Sequence, residues 1–160
     1  MNHQIIEKDR FQVVGIKRTF SLVNGENHTG IAKMWEEVHQ NGTVKLLSSL
    51  NNGSLKGLIG VCTAHSDDQS GQTIDYWIAA EYNGEVPNGL LALEIPASKW
   101  GIFEVRGSMP EAIQKAWEQI FSEWLPSQHY KLAGTPQLEV YPDDDPTSPD
   151  FYSEIWVRLQ

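Results

Sequence analysis

A glutamate lies between two aromatic residues in the last predicted strand, FYSEIWVRL. Successive side chains of a β-strand point to opposite faces, so Tyr152, Glu154 and Trp156 share one face. The other face is apolar and is typical of a protein core. A carboxylate among aromatic rings suits an apolar, planar or cationic guest, because each ring face attracts a cation by about 0.5 to 2 kcal/mol. The face that carries Tyr152, Glu154 and Trp156 is therefore a candidate binding surface.

The preceding strand, PQLEVY, repeats this combination of acid and aromatic ring. If Leu138 and Val140 face the core, then Glu139 and Tyr141 belong to the same open face as Glu154. A short connection joins the two strands and predicts a hairpin, which would make the two glutamates neighbours. Such a carboxylate could bind a cation or could transfer a proton to or from a substrate.

Two further strands offer aromatic side chains to this surface. In TIDYWIAAEY we expect Trp77 on the open face, with Tyr76 as the alternative. The choice between them is open because two consecutive alanines make the alternation of apolar and polar residues ambiguous. In KWGIFEVRG, Trp100 and Phe103 fall on opposite faces, so only one of them can line the site. An ordinary exposed sheet also carries glutamates and aromatic pairs. Six Trp and five Tyr in 160 residues nevertheless favour a binding role, since a large exposed aromatic patch is costly without a partner.

The elements that position these residues follow the order β-α-β-β twice, over about residues 11–82 and 100–159. The helix in the second half, SMPEAIQKAWEQIFSEWLP, has a predicted capping box at Ser108 and Glu111. The pattern predicts an α+β fold in which duplicated β-α-β-β units form an antiparallel sheet with both helices on one face. We expect a central ligand pocket on the opposite, open face, at the seam between the halves.

Composition favours one domain over residues 1–160 and limits the classes of function. A formal charge of −9 argues against direct nucleic-acid binding, which needs clustered Lys and Arg. No apolar run approaches the roughly 20 residues of a membrane span. No signal segment is visible, so a cytoplasmic protein is expected. The five histidines lack metal-ligand spacing and Cys62 lies in an apolar run, so neither metal nor cofactor is predicted.

The segments IPASKWGIFEVRG, LEVYPDDD and SEIWV, with a helix ending in WLP between the first two, resemble the GyrI-like effector-binding domains. Such domains occur as drug-sensing parts of AraC-type and MerR-type regulators and as stand-alone proteins. The resemblance is strongest from about Leu93 to Val157 and implies a pocket glutamate amid aromatic residues. Glu139 matches that glutamate best and Glu154 second. Arg158 stands where the family often has proline.

These observations lead to three hypotheses. The first is a stand-alone protein that captures lipophilic, often cationic compounds. The predicted ligand-binding residues are Glu139, Glu154, Tyr141, Trp156, Trp77, Tyr76, Trp100 and Tyr152. The resemblance also implies an alternative, a hydrolase of strained cyclopropane-containing compounds with Glu139 or Glu154 as the catalytic carboxylate. The third is an interaction module for a protein partner such as a DNA-binding subunit or gyrase, since no helix-turn-helix is visible.

Overall fold

The computed structural model describes residues 2–65, 70–142 and 145–160, so the predicted turns at 66–72 and 142–150 lie partly outside it. The strands are β1 (His3–Lys8), β2 (Phe11–Ser21), β3 (Leu58–Ala64), β4 (Thr73–Glu81), β5 (Leu91–Ile95), β6 (Ser98–Arg106), β7 (Gln137–Tyr141) and β8 (Tyr152–Leu159). The helices are α1 (Glu26–Gln40), α2 (Thr43–Leu50), α3 (Glu111–Gln119) and α4 (Leu125–Ser127).

All eight strands form one antiparallel sheet in the order β1-β6-β8-β7-β3-β4-β2-β5. The order is symmetric about the β3–β7 pair: β4, β2 and β5 follow on one side, and β8, β6 and β1 on the other. The first strand of the chain therefore extends the second half, and β5 extends the first half. The predicted β-α-β-β order holds for β2 to β4 and for β6 to β8, and this α+β fold is confirmed.

The sheet is strongly curved. In strand order, β1 and β4 are five steps apart, which in a flat sheet would be about 24 Å. Lys8 Nζ on β1 nevertheless lies 3.6 Å from Glu81 Oε1 at the end of β4. The sheet thus curls around the face that carries no helices, the helix-free face. Residues from both halves meet there in one buried core, which includes Val13, Trp77 and Trp100.

The helices cover the opposite, helix face in two separate groups. Helices α1 and α2 pack on the first half, where Met34, Val38 and Leu47 are buried. Helix α3 and the turn after it pack on the second half over β6 and β8. Helix α2 was not predicted, because its sequence TVKLLSSL was interpreted as part of a polar loop. Its start is fixed by Asn41 Oδ1, which accepts hydrogen bonds from the Thr43 backbone N–H and hydroxyl.

The second-half helix is less regular than its pattern predicts. Helix α3 continues into a π-helical turn, Ile120–Trp124, before α4. The predicted capping box is absent, since no side chain caps the N-terminus of α3. The buried stripe is confirmed at Ile113, Ile120 and Trp124, but Trp117 is only partly buried. The side chain of Trp117 instead lines the cavity that is described below.

Asp75 on β4 supplies a first prediction. Burial acts to raise its pKa, but hydrogen bonds from Thr19 and His65 and the charges of His65 and Lys17 outweigh burial and lower it. A carboxylate with a lowered pKa stabilises the fold above the ordinary Asp pKa of about 4, and this contribution is lost as pH falls through the lowered value.

We expect Asp75→Asn to lower the free energy of unfolding by about 1 to 2 kcal/mol at pH 7. The difference from wild type should shrink as pH falls below about 4 and through the lowered pKa of Asp75. Urea unfolding at a series of pH values measures it, with Asp9→Asn, at an exposed position, as the control. A difference that grows as pH falls below about 4 would contradict this account.

Candidate functional site

A cavity of about 1160 Å³ opens on the helix face between α1 and α3. The two helix groups cover the two halves of the sheet and leave part of the central strands β3 and β7 uncovered between them. The floor of this main cavity comes from β3, β4 and β7, and its walls come from α1 and α3. The predicted pocket at the seam therefore exists, but on the side of the helices. The main cavity does not lie on the opposite face as expected, because the curled sheet fills most of that face with its own core.

Glu139 on β7 lies at the floor of the main cavity, with only 6% of its surface exposed. Its Oε1 accepts hydrogen bonds from the hydroxyls of Tyr76 at 2.6 Å and Tyr141 at 3.0 Å. Its Oε2 accepts one from Trp117 Nε1 at 2.7 Å. Three donors compensate for the desolvation of a buried carboxylate. The anionic group is thus held in a fixed position at the base of the cavity.

The network around Glu139 joins the two opposing helices. Trp35 Nε1 on α1 donates to the Tyr76 hydroxyl at 2.9 Å, and that hydroxyl donates to Glu139. Trp117 on α3 donates to the same carboxylate from the other side of the cavity. The Trp35 ring also meets the Tyr141 ring edge to face, with centroids 5.0 Å apart. Both indoles are therefore oriented by polar contacts while their rings line the cavity.

Gly60 on β3 makes room for this network. A Cβ atom at Gly60 would lie 2.1 Å from the Tyr76 hydroxyl oxygen and 2.9 Å from Glu139 Oε1.

Burial, followed by the charge of Glu139, raises the pKa values of Tyr76 and Tyr141 well above the ordinary range. The same two causes raise the pKa of the Cys62 thiol, which also lines the cavity. These groups remain protonated at neutral pH, so the two phenols act as donors to Glu139.

The rim of the main cavity adds negative charge. Leaving histidines aside, the charged residues among the described lining are Glu36, Glu111, Glu118, Glu139 and Lys115. Aromatic side chains line the same cavity, and the Phe121 ring stacks on the Trp117 ring with centroids 5.7 Å apart. A site with aromatic walls and excess carboxylate attracts cations with apolar surface.

The structure does not bring the eight predicted site residues together. Residues Glu139, Tyr141 and Tyr76 line the main cavity. The parity assigned to β7 is wrong, because Glu139 is paired with Ile155, and Val140 with Glu154. Glu139 therefore points to the helix face and Glu154 to the helix-free face.

Glu154 keeps its predicted neighbours on that other face. Tyr152 donates its hydroxyl proton to Glu154 Oε2 at 2.6 Å, and Trp156 Nε1 donates to Oε1 at 3.1 Å. The parity assigned to β8 is thus confirmed. Since the sheet separates Glu139 from Glu154, the two carboxylates cannot act on one small substrate.

The remaining two predicted residues are part of the core. Trp100 is fully buried and Trp77 nearly so, and both belong to the cluster on the helix-free face. Neither lines the main cavity, where Tyr76, the alternative to Trp77, is found. Trp77 is paired across the strands with Val61, and both are in that core. The predicted position of Trp77 on the face away from the helices is confirmed, but that face is filled by the core, so Trp77 does not line the main cavity.

Sequence reasoning missed Trp35 and Trp117 because it treated every aromatic residue on a helix as core. Their spacing is that of a buried stripe, yet both are only partly buried. The available signal was chemical: a buried indole N–H is usually paired with an acceptor, although those of Trp77, Trp100 and Trp124 have none among the described residues. Helix tryptophans that face a glutamate-bearing strand are candidates for such a contact.

The Tyr76 hydroxyl gives a second prediction. Tyr76→Phe removes the 2.6 Å donor to Glu139 and leaves Trp35 Nε1 without its acceptor. Because one of these bonds is made to a charged group, we expect a loss of about 2 to 3 kcal/mol in the free energy of unfolding. Tyr141→Phe removes one longer bond and should cost about 1 kcal/mol. Chemical denaturation measures both, and equal losses would show that the network does not run through Tyr76.

A family model for integron-associated effector-binding proteins matches residues 4–157. The chain belongs to this family. Family membership, with the architecture and cavity described above, confirms the GyrI-like resemblance and makes the chain an effector-binding domain, a class of small-molecule-binding proteins. No curated protein matches the chain significantly.

Solved structures agree with this assignment. A candidate bacterial transcription regulation protein from Staphylococcus aureus MU50 is 28% identical, with a TM-score of 0.85 over 100% of this chain and 99% of that chain. The protein SAV2435, in a structure bound to tetraphenylphosphonium, is 28% identical, with a TM-score of 0.87 over 100% of this chain and 94% of that chain.

An integron cassette protein from Vibrio cholerae shares the fold. It is 18% identical, with a TM-score of 0.70 over 99% of this chain and 95% of that chain. Within the described ranges, the effector-binding domain has no helix of the length and apolarity needed to cross a bilayer.

Proposed function

We propose that this effector-binding domain captures lipophilic cations in the main cavity, with Glu139 as the counter-charge. The observation that carries the proposal is a carboxylate 6% exposed, fixed by two phenols and an indole, at the base of a 1160 Å³ cavity with aromatic walls. Such a carboxylate provides attraction that water screens only weakly. The rings Trp35, Tyr141 and Trp117 provide apolar contact and cation–π attraction.

The hydrogen bonds favour cations that carry no donors of their own. A carboxylate has about four lone-pair sites, and three are already occupied on Glu139. A delocalised or shielded cation gains Coulomb attraction without needing a hydrogen bond, whereas a primary ammonium must lose its hydration and finds few acceptors. Tetraphenylphosphonium, the ligand in the SAV2435 structure, has this chemistry.

Tryptophan fluorescence tests the proposal directly, because Trp35 and Trp117 both line the cavity. Titration with tetraphenylphosphonium should give a saturable change at micromolar concentrations. Tetraphenylborate has nearly the same shape and the opposite charge, so it should bind at least 30-fold more weakly. Equal affinities for the two ions, or no change with tetraphenylphosphonium up to about 100 μM, would reject the proposal.

A regulatory role is supported by the similarity to a candidate transcription regulation protein rather than by the cavity. Some domains of the GyrI-like type are parts of transcription regulators, and the charge of −9 makes direct DNA contact by this chain unfavourable. We therefore infer that any regulatory output passes through a protein partner that carries the DNA-binding surface. Gyrase as that partner, and the hydrolase alternative, stay predictions.

A further inference from the structure

A second, smaller cavity of about 450 Å³ lies on the helix-free face, at the edge of the inner core. Residues from β1, β6, β7, β8 and the loop before β3 line it, among them Ile6, Ile102, Val140, Glu154 and Trp156. It shares no lining residue with the main cavity. The sheet therefore separates the two cavities.

Glu154 is a fixed but incompletely satisfied acceptor in this small cavity. Within the described part of the chain, its Oε2 accepts one hydrogen bond, from Tyr152, and its Oε1 accepts one, from Trp156. Each carboxylate oxygen accommodates about two donors, so one lone pair on each oxygen remains available. Its partner across the β6–β8 ladder is a second carboxylate, Glu104. Two like charges directly opposite destabilise a sheet, and an added cation would offset this.

The rest of the lining supplies the opposite charge and an apolar wall. Lys8 and Lys56 both line the cavity. Lys8 is already engaged, since its Nζ donates to Ser54 Oγ at 2.7 Å and lies 3.6 Å from Glu81. Lys56 is exposed and has no ion pair among the described residues. Glu7, an exposed residue, also lines the cavity. The cavity therefore presents the fixed carboxylate of Glu154, the ammonium group of Lys56, and aliphatic side chains with one indole.

We propose that the small cavity is a second ligand site, for a small zwitterion of the apolar amino-acid class. The ligand's ammonium group would donate to the free lone pairs of Glu154, its carboxylate would meet Lys56, and its side chain would lie along Ile6, Ile102 and Val140. The site differs in chemistry from the main cavity, where Glu139 has three donors and the walls favour cations without N–H groups. A cation that suits one site is poorly matched to the other.

Two-dimensional ¹H–¹⁵N NMR of the whole chain tests this site with L-phenylalanine as the probe. Millimolar L-phenylalanine should shift the Trp156 indole N–H, which donates to Glu154, and the backbone amides of Gln4 and Lys56. Phenethylamine and 3-phenylpropionate each lack one charge and should bind at least fivefold more weakly. Glu154→Gln should abolish the shifts, whereas Glu139→Gln, in the other cavity, should leave them unchanged.

A second variant covers the case in which Glu154→Gln disturbs the strand. Gln4 lies exposed on the edge strand β1 and lines the small cavity, so Gln4→Trp should occlude it without touching Glu154. Loss of phenylalanine shifts in this variant supports the site. The proposal is rejected by an absence of shifts in the wild type, by shifts that survive both variants, or by phenethylamine binding as tightly as phenylalanine.

Discussion

Replacing Glu139 with Gln should weaken tetraphenylphosphonium binding by roughly 30- to 150-fold, or about 2 to 3 kcal/mol. A cation 4 to 6 Å from a carboxylate gains about 3 to 4 kcal/mol at the effective dielectric constant typical of protein sites. The amide keeps the volume of the carboxylate and removes the charge, so the loss reports electrostatic attraction rather than shape. Fluorescence titration of the wild type and the variant measures the ratio of dissociation constants.

Two controls separate loss of charge from loss of structure. Glu154→Gln makes the same substitution on the other face of the same hairpin and should leave the tetraphenylphosphonium affinity within twofold. Tetraphenylborate should bind the Glu139→Gln variant more tightly than it binds the wild type, because a repulsion is removed. A variant that lost affinity for both ions would indicate a collapsed cavity. Unchanged affinity for the cation would show that Glu139 is not the counter-charge.

The sequence predicted the fold because its signals were local. Alternation in SEIWV, the apolar stripe after Pro110 and the repeated β-α-β-β order each depend on neighbours in the chain. Helix α2 was missed because its eight residues were interpreted as part of the Asn-, Ser- and Gly-rich loop beside them, whereas Leu47 packs on the sheet. Tertiary contacts of this kind are not visible in a short segment.

The sequence predicted several residues of the site but not their arrangement in space. Alternation shows which residues of a strand share a face, but it does not show which face lies under the helices. In β7 both faces are buried, since Leu138 lies in the inner core while Glu139 lies at the cavity floor. The rule that the apolar side meets the helices therefore fails there. The curvature that buries the second face brings strands together that are distant in the sheet, as the contact of Lys8 with Glu81 shows, and alternation within one strand does not report it.

The absence of a side chain at Gly60 should be important for stability and for ligand binding, as the Glu139 carboxylate is for binding. Gly60→Ala would place a Cβ atom 2.1 Å from the Tyr76 hydroxyl oxygen and 2.8 Å from its Cζ. Tyr76 is almost fully buried and is held by Trp35 and Glu139, so its ring cannot move without breaking both hydrogen bonds. Overpacking costs about 1 to 3 kcal/mol, and each broken bond adds about 1 kcal/mol or more.

We therefore expect Gly60→Ala to lower the free energy of unfolding by about 3 to 4 kcal/mol and to weaken tetraphenylphosphonium binding at least tenfold. Gly101→Ala is the matched control, because Gly101 is also a strand glycine and its added Cβ would meet only side-chain atoms, at 3.2 Å or more. Denaturant unfolding and fluorescence titration of both variants measure the effects. The double variant Gly60→Ala with Tyr76→Phe should recover part of the stability, because the phenylalanine ring removes the clashing oxygen. A stable Gly60→Ala protein with wild-type affinity would mean that Tyr76 has room to move, and that the phenol does not fix the position of Glu139.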